Sequence, residues 1–158
     1  MKQLISYLND HLAGSVSAIE LIDHLMKRYE GKPLGKFFAD LGADIEADQE
    51  TLHGVIQRFK ANESAARKTG GWIAEKFARL GIKAAGEKIG DLGLVQALEV
   101  LVLGITGKQL LWRALSAALG DSPLLKNVDL QKLEERAIAQ IERVEAVRLE
   151  AAREAFLR

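Results

Sequence analysis

Residues 95–119, VQALEVLVLGITGKQLLWRALSAAL, decide the fold of this chain. Apolar side chains recur there at alternating spacings of three and four, which places them on one stripe of an α-helix. The predicted stripe consists of Val95, Leu98, Val102, Ile105, Gln109, Trp112, Ser116 and Leu119. Gly120-Asp121-Ser122-Pro123 ends this helix, because Gly and Pro follow helix C-termini. We therefore predict a helix over about residues 91–119, with Trp112 buried in a core.

Three other segments show the same spacing and predict helices over about residues 2–30, 33–60 and 125–157. Short connections at Gly31–Pro33 and after Gly120 join these helices into two antiparallel hairpins. The intervening segment, about residues 61–90, is long enough to cross the whole bundle. We expect it to contain a short helix, on which Trp72 is more exposed than Trp112. The sequence thus predicts one all-α domain over residues 1–158, a four-helix bundle with a long crossover.

Composition narrows the possible partners and chemistries. Lys plus Arg and Asp plus Glu both number 22, so no net charge indicates nucleic acid as a partner. The absence of Cys excludes disulfides and cysteine nucleophiles. The longest apolar stretch is interrupted by Gln96 and Glu99, so we predict no membrane span and expect a cytoplasmic protein. Homo-oligomerisation through helix faces stays open.

One polar residue interrupts each apolar stripe near its middle: Ser15, Gln49, Gln109 and Gln140. In an antiparallel hairpin, residues equally distant from the turn lie at the same height. Ser15 and Gln49 are equally distant from Lys32 in the first turn, and Gln109 and Gln140 are equally distant from the second turn, beside Pro123. If the two turns lie at opposite ends of the bundle, all four side chains meet in one central polar layer.

The two hairpins, the crossover and this layer resemble the ferritin-like superfamily of bacterioferritins and rubrerythrins, as does the stretch from Tyr7 to Ile19. The resemblance implies a di-iron site with a Glu from helices one and three and a Glu-x-x-His from helices two and four. On matching that pattern, the six positions hold Ser15, Glu46, Gln49, Gln109, Ala137 and Gln140. Only Glu46 is a carboxylate, so we predict that the chain binds no di-iron centre.

A Ser and three Gln can instead satisfy one another as donors and acceptors in a closed hydrogen-bonded layer. We therefore favour no cofactor and predict a non-catalytic structural or binding protein with a degenerate metal site. An enzyme remains open. The first alternative is an oxidoreductase or iron-handling protein that holds iron or another divalent metal at a shifted site. The second is a carrier of a small molecule or lipid, which an apolar cavity would indicate.

The candidate ligands of a shifted metal site are Glu46, Asp48, Glu50, His53 and Glu99. Asp48 is adjacent to the apolar stripe of the second helix, and we expect it to be the inward-facing member of an acidic run that consists of Asp40, Asp44, Glu46, Asp48 and Glu50. Glu50 and His53 form a literal Glu-x-x-His, but the register of the stripe turns Glu50 away from the core and places His53 at its boundary, so we expect a surface pair. Glu99 lies on the most apolar helix, and we expect it to be partly exposed or to pair with Arg148 or another basic residue of the fourth helix.

Overall fold

The computed structural model describes residues 1–61 and 90–157, which form four α-helices. These are α1 (Lys2–Arg28), α2 (Pro33–Ala61), α3 (Asp91–Leu119) and α4 (Leu130–Phe156), with a short 3-10 helix at Pro123–Leu125. No strand occurs in the described ranges, so the predicted all-α class is confirmed. The predicted crossover, with Trp72, lies outside the described residues.

Both short connections are held by local interactions that the sequence encodes. In the first turn Gly31 has φ 75°, a left-handed conformation that favours glycine, and Pro33 opens α2. In the second, the hydroxyl of Ser122 accepts from the backbone N–H of Leu124. The carboxylate of Asp129 then caps α4 by accepting from the N–H of Lys132 at 2.9 Å. α4 therefore begins at Leu130, five residues later than predicted.

Two clusters of buried apolar residues fill the bundle, one towards each end. The first joins the start of α1 to the end of α2, the end of α3 and the start of α4: Ile5, Leu8, Leu52, Val55, Ile56, Phe59, Leu111, Trp112, Leu115, Leu125 and Leu130. The second joins the opposite ends of the same helices. The two short turns consequently lie at opposite ends of the bundle. α1 packs on α2 and on α3, and α3 packs on α4.

The face of α3 that meets the core differs from the predicted stripe. The buried residues of α3 include Leu98, Leu101, Ile105, Trp112 and Leu115. Lys108 lies three residues after Ile105 and four before Trp112, so it is on the same face of the helix. Its side chain is only 14% exposed. Ser116, which was placed on the stripe, is exposed. The helix is thus rotated by about one position from the predicted register, whereas the predicted burial of Trp112 is confirmed at 0% exposure.

Among the described residues, α3 is the one helix whose length and apolarity would suit a membrane span, with a mean hydropathy of 1.4 over its best window. Buried core helices of soluble bundles have the same properties. α3 packs against α1 and α4 and supplies both apolar clusters, so its apolar character is accounted for in part by the core. Leu103 and Leu110 are nevertheless more than half exposed.

Candidate functional site

Asp48 is the centre of a polar cluster at mid-bundle. It follows Ile45 by three residues and precedes Leu52 by four on α2, so its carboxylate enters the core between two buried apolar side chains. Only 1% of Asp48 is exposed, which confirms that it is the inward-facing member of its acidic run. A buried carboxylate is stable only when other groups compensate its charge, and here α3 and α4 supply them.

Lys108 on α3 provides the first compensating charge. Its Nζ lies 2.5 Å from Oδ2 of Asp48 and 2.5 Å from Oε1 of Gln140 on α4. Burial lowers the pKa of the Lys108 ammonium from its usual value, and the nearby carboxylate of Asp48 opposes that change. The ion pair with Asp48 therefore offsets part of the decrease in pKa that burial causes.

α4 contributes two further contacts to the carboxylate of Asp48. Gln140, which is 1% exposed, donates from Nε2 to Oδ2 at 3.0 Å. Arg136, one turn earlier, places Nη2 at 2.7 Å from Oδ1, a charge contact without the geometry of a hydrogen bond. The same guanidinium donates to the backbone carbonyl of Asp44 at 3.1 Å. Asp48 is therefore surrounded by donors from two helices, and Asp48, Lys108 and Arg136 together carry one net positive charge.

Ser15 and Gln49 form a separate, neutral contact between α1 and α2. Gln49 donates from Nε2 to the hydroxyl of Ser15 at 2.9 Å, and that hydroxyl donates to the carbonyl of Leu12 at 2.6 Å. The two side chains meet as the symmetry of their hairpin predicts. They share no hydrogen bond with the cluster around Asp48.

The expected closed layer of one Ser and three Gln does not form. Ser15 and Gln49 bond to each other, while Gln140 bonds to Asp48 and Lys108. Gln109 is half-buried and makes no side-chain hydrogen bond within residues 1–61 and 90–157. The rotation of α3 is the physical reason, because it turns Lys108 rather than Gln109 towards Asp48. The sequence held one signal for this, since Lys108 continues the spacing between Ile105 and Trp112.

The remaining candidate metal ligands are dispersed over the surface. Glu46 and Glu50 are exposed, and exposed His53 pairs only with the amide of Gln57, at 3.2 Å. Glu99 is half-exposed and pairs with Arg148 at 3.3 Å, as predicted. No three His, Asp or Glu side chains converge in the described part of the chain.

The donor set at mid-bundle does not fit the di-iron centre that the resemblance implies. Two iron ions need several carboxylates, whereas the described mid-bundle core supplies Asp48 alone. Lys108 and Arg136 already occupy its two oxygens with positive charge. A metal cation there would meet a cluster that is positively charged before it binds.

A cavity of about 120 Å³ lies beside the cluster, between α1, α2 and α3. Its wall is mainly apolar, formed by side chains such as Ile45, Leu52 and Leu111, and Gly107 contributes no side chain to it. His11, Ser15, Asp48, Gln49, Lys108 and Trp112 are its polar lining residues. Burial lowers the pKa of His11, which favours a neutral imidazole.

Trp112, like Asp48 at Oδ1, lines the cavity and has a buried polar atom without a hydrogen-bond partner in the described ranges. Its ring is fully buried, yet its indole Nε1 has no hydrogen-bond acceptor among the described residues. Buried indole N–H groups ordinarily find a partner, because an unpaired buried donor costs about 1–3 kcal/mol. Because Trp112 is 0% exposed, no atom as large as a water oxygen reaches its indole nitrogen, so this donor is enclosed in the core and does not open into the cavity.

Comparisons with known proteins find no family model that matches this chain, no matching curated protein and no matching solved structure. The class of this protein is therefore described from its fold and its site. It is an all-α bundle with a charged polar cluster at its centre and a small cavity beside that cluster.

Proposed function

We propose that this protein is a non-catalytic binding protein that holds a compact small molecule in its mid-bundle cavity. The observation that carries the proposal is the cavity of about 120 Å³, whose wall is mainly apolar. Its size suits a ligand of a few heavy atoms, since an apolar cavity of about 150 Å³ in another protein binds benzene.

The polar cluster supports binding rather than catalysis. Oδ2 of Asp48 and the amide of Gln140 bond to Lys108 and to each other, and Oδ1 of Asp48 faces the guanidinium of Arg136, so the charges of the cluster compensate one another within the core. A cluster that joins α2, α3 and α4 fixes the relative register of those helices. In this proposal the cluster keeps the wall of the cavity rigid, and the cavity selects the ligand by size.

We further propose a ferritin-like arrangement in which Lys108 replaces the charge of a lost metal. The opposite positions of the two turns and the packing of α1 on α3 support this arrangement. The ammonium lies between a carboxylate and an amide oxygen, as a cation would. Lys108 then supplies internally the positive charge that iron supplies in the family.

Xenon under pressure tests the proposed cavity, because it enters small apolar spaces. In ¹³C methyl NMR spectra of the full chain, the signals of Leu52 and Leu111, which line the cavity, should shift with xenon pressure. Leu25, fully buried in the other apolar cluster, serves as the internal control and should not shift.

Filling the cavity provides the matched variants. Ala18→Leu adds a larger side chain to a lining position, and it should abolish the xenon shifts. Ala39→Leu makes the same change at an exposed position of α2 and should leave them unaltered. Equal shifts at Leu25 and Leu52, or shifts that survive Ala18→Leu, would overturn the proposed binding site.

A further inference from the structure

The α3–α4 hairpin carries most of the large apolar side chains that are exposed in the described ranges. Six of these ten side chains lie on its two helices: Leu92, Leu103, Leu110, Ile138, Leu149 and Phe156. At the middle of α3, Leu103 and Leu110 are 62% and 52% exposed and lie two helical turns apart. At the middle of α4, Ile138 and Leu149 lie three turns apart. Each pair therefore forms an apolar stripe on the side of its helix that faces away from the core.

Two ion pairs on the solvent side of the hairpin place these stripes side by side. Arg113 on α3 lies 2.5 Å from Glu134 on α4, and Glu99 on α3 lies 3.3 Å from Arg148 on α4. Each stripe begins and ends within about one turn of these charged residues. The two stripes thus border one seam and form a single surface, the outer face, which consists of Leu103, Leu110, Ile138 and Leu149.

The outer face is large enough for a stable protein interface. α3 and α4 have 29 and 27 residues, so each is about 40 Å long at 1.5 Å per residue. Two packed helices are about 20 Å wide, so the face measures about 800 Å². Each partner of a standard-sized interface buries about the same area.

The spacing of the stripes fits the outer face to a second copy of itself. A two-fold axis pairs residues that are equally distant from it and repeats each contact twice. The midpoint of the α3 stripe lies between residues 106 and 107, and that of the α4 stripe between residues 143 and 144. Since Lys108 and Gln140 are level across the hairpin, these midpoints differ in height by about two residues, or about 3 Å. One axis therefore serves both helices, close to the middle of each.

The charges beside the α3 stripe match in the same arrangement. The axis sets α3 against α3 of the second copy in the opposite direction, so Glu99 lies level with residue 114 of that copy, next to its Arg113. Glu99 and Arg113 are 51% and 59% exposed, so both can reach the second copy. Opposite charges consequently meet at both ends of the stripe. A membrane surface instead favours stripes flanked by Lys and Arg, whereas here the flanking charges have opposite signs.

We infer that a second copy of this chain docks on the outer face about a two-fold axis, with Leu103 of each copy against Leu110 of the other. The partner is chosen by the symmetric spacing of the stripes and by the charges that flank them. Dimerisation does not depend on ligand binding in the cavity, so either proposal can fail alone.

Sedimentation velocity of the full chain tests the interface. We expect a dimer at concentrations down to about 1 μM, as for other interfaces of this size. Leu103→Glu should raise the dimer Kd by about a hundredfold or more, because the two-fold axis places two carboxylates in one apolar interface. Val16→Glu makes a similar change at an exposed position of α1 and should leave the dimer intact. Circular dichroism should show unaltered helix content in both variants, since both positions are exposed.

Charge reversal tests the direction in which the two α3 helices pack. Glu99→Arg and Arg113→Glu each place like charges together at both ends of the stripe, so each variant alone should dimerise more weakly. Mixing the two variants restores opposite charges at both contacts, and the mixed dimer should form more tightly than either dimer of one variant. Such a rescue cannot come from folding within one chain.

The contrary results are equally specific. A chain that is monomeric at every concentration overturns the inference, and so does a dimer that Leu103→Glu leaves intact. Failure of the mixed dimer to form overturns the two-fold arrangement. If the monomer instead sediments with vesicles of phosphatidylcholine and phosphatidylglycerol, the outer face binds lipid. If Leu103→Glu destabilises a monomer, another part of the same chain covers that face, and no second copy docks there.

Discussion

The two sides of the mid-bundle layer lie at the same height but hold different chemistry. Between α1 and α2, Ser15 and Gln49 form one neutral hydrogen bond. Between α2, α3 and α4, Asp48 and Lys108 form a buried ion pair that Gln140 completes. Loss of Gln49 leaves Ser15 with its bond to Leu12, whereas loss of any member of the charged cluster leaves another charge or dipole uncompensated in the core. The comparison teaches that the loss of stability on removing a polar residue does not depend on its height in the bundle. It depends on the charge of the residue and on the partners that it shares.

The largest effect is expected from Asp48→Asn, which removes the carboxylate and leaves Lys108 and Arg136 without their counter-charge. The free energy of unfolding, measured by urea denaturation, should fall by about 3–5 kcal/mol, as for other broken buried pairs. Asp40→Asn is the matched control, because Asp40 pairs with Lys36 on the exposed face of α2. Its cost should not exceed about 0.5 kcal/mol. Equal losses in the two variants would contradict the central role of Asp48.

A second variant sharpens that result. Lys108→Met in the Asp48→Asn background removes the stranded ammonium, so it should recover part of the lost stability. Apolar groups of similar volume often replace buried ion pairs without loss. Arg136 is 37% exposed and can turn its charge towards solvent.

A smaller loss of stability is expected when the glutamines on the two sides of the layer are replaced by leucine. Gln140→Leu should cost about 1–3 kcal/mol, since it strands a donor on Lys108 and an acceptor on Asp48. Gln49→Leu should cost about 0.5–1.5 kcal/mol, and Gln109→Leu, which breaks no bond among the described residues, less than about 0.5 kcal/mol.

Double variants then test whether the two sides are separate. Gln140→Leu and Lys108→Met share partners, so their coupling energy should exceed about 0.5 kcal/mol. Gln49→Leu and Gln140→Leu share none and should be additive within about 0.5 kcal/mol. Strong coupling between Gln49 and Gln140 would show that they belong to one hydrogen-bonded layer, as the sequence predicted.

The smallest effect concerns pH and distinguishes the charged side from the neutral one. Burial lowers the pKa of Lys108 in the folded protein, whereas the unfolded chain keeps the usual value of 10.5. Between the two values the unfolded chain binds more protons, so the free energy of unfolding should rise with pH, by at most about 1.4 kcal/mol per pH unit. Below the lowered pKa the penalty of the buried charge is present in full.

Lys108→Met should abolish this rise, and Lys36→Met, at an exposed position, should retain it. Burial raises the pKa of Tyr7 and Tyr29, which acts in the opposite direction above about pH 10. Both tyrosines are present in all three proteins, so the difference between variants isolates Lys108. A pH dependence that is identical in the Lys108→Met variant would show that Lys108 does not titrate in this range.

Periodicity alone determined the four helices and the all-α class. The apolar stripes gave α1, α2 and α3 to within two residues, and α4 apart from its start. Symmetry about the first turn also predicted the contact of Ser15 with Gln49, because each helix of that hairpin has one apolar face and therefore one possible register. Asp48 was expected inside since it adjoins that face.

Only the tertiary structure decided which face of α3 enters the core. α3 is apolar on most sides, so two stripes one residue apart are almost equally good, and a step of one residue turns a side chain by about 100°. The stripe and the symmetry about the second turn predicted Gln109 at this face, and a lysine is almost never fully buried unless it is paired. Lys108 is stable inside because Asp48 from α2 and Gln140 from α4 lie within 2.5 Å of its ammonium. Those partners come from different helices, and no local pattern along α3 records them.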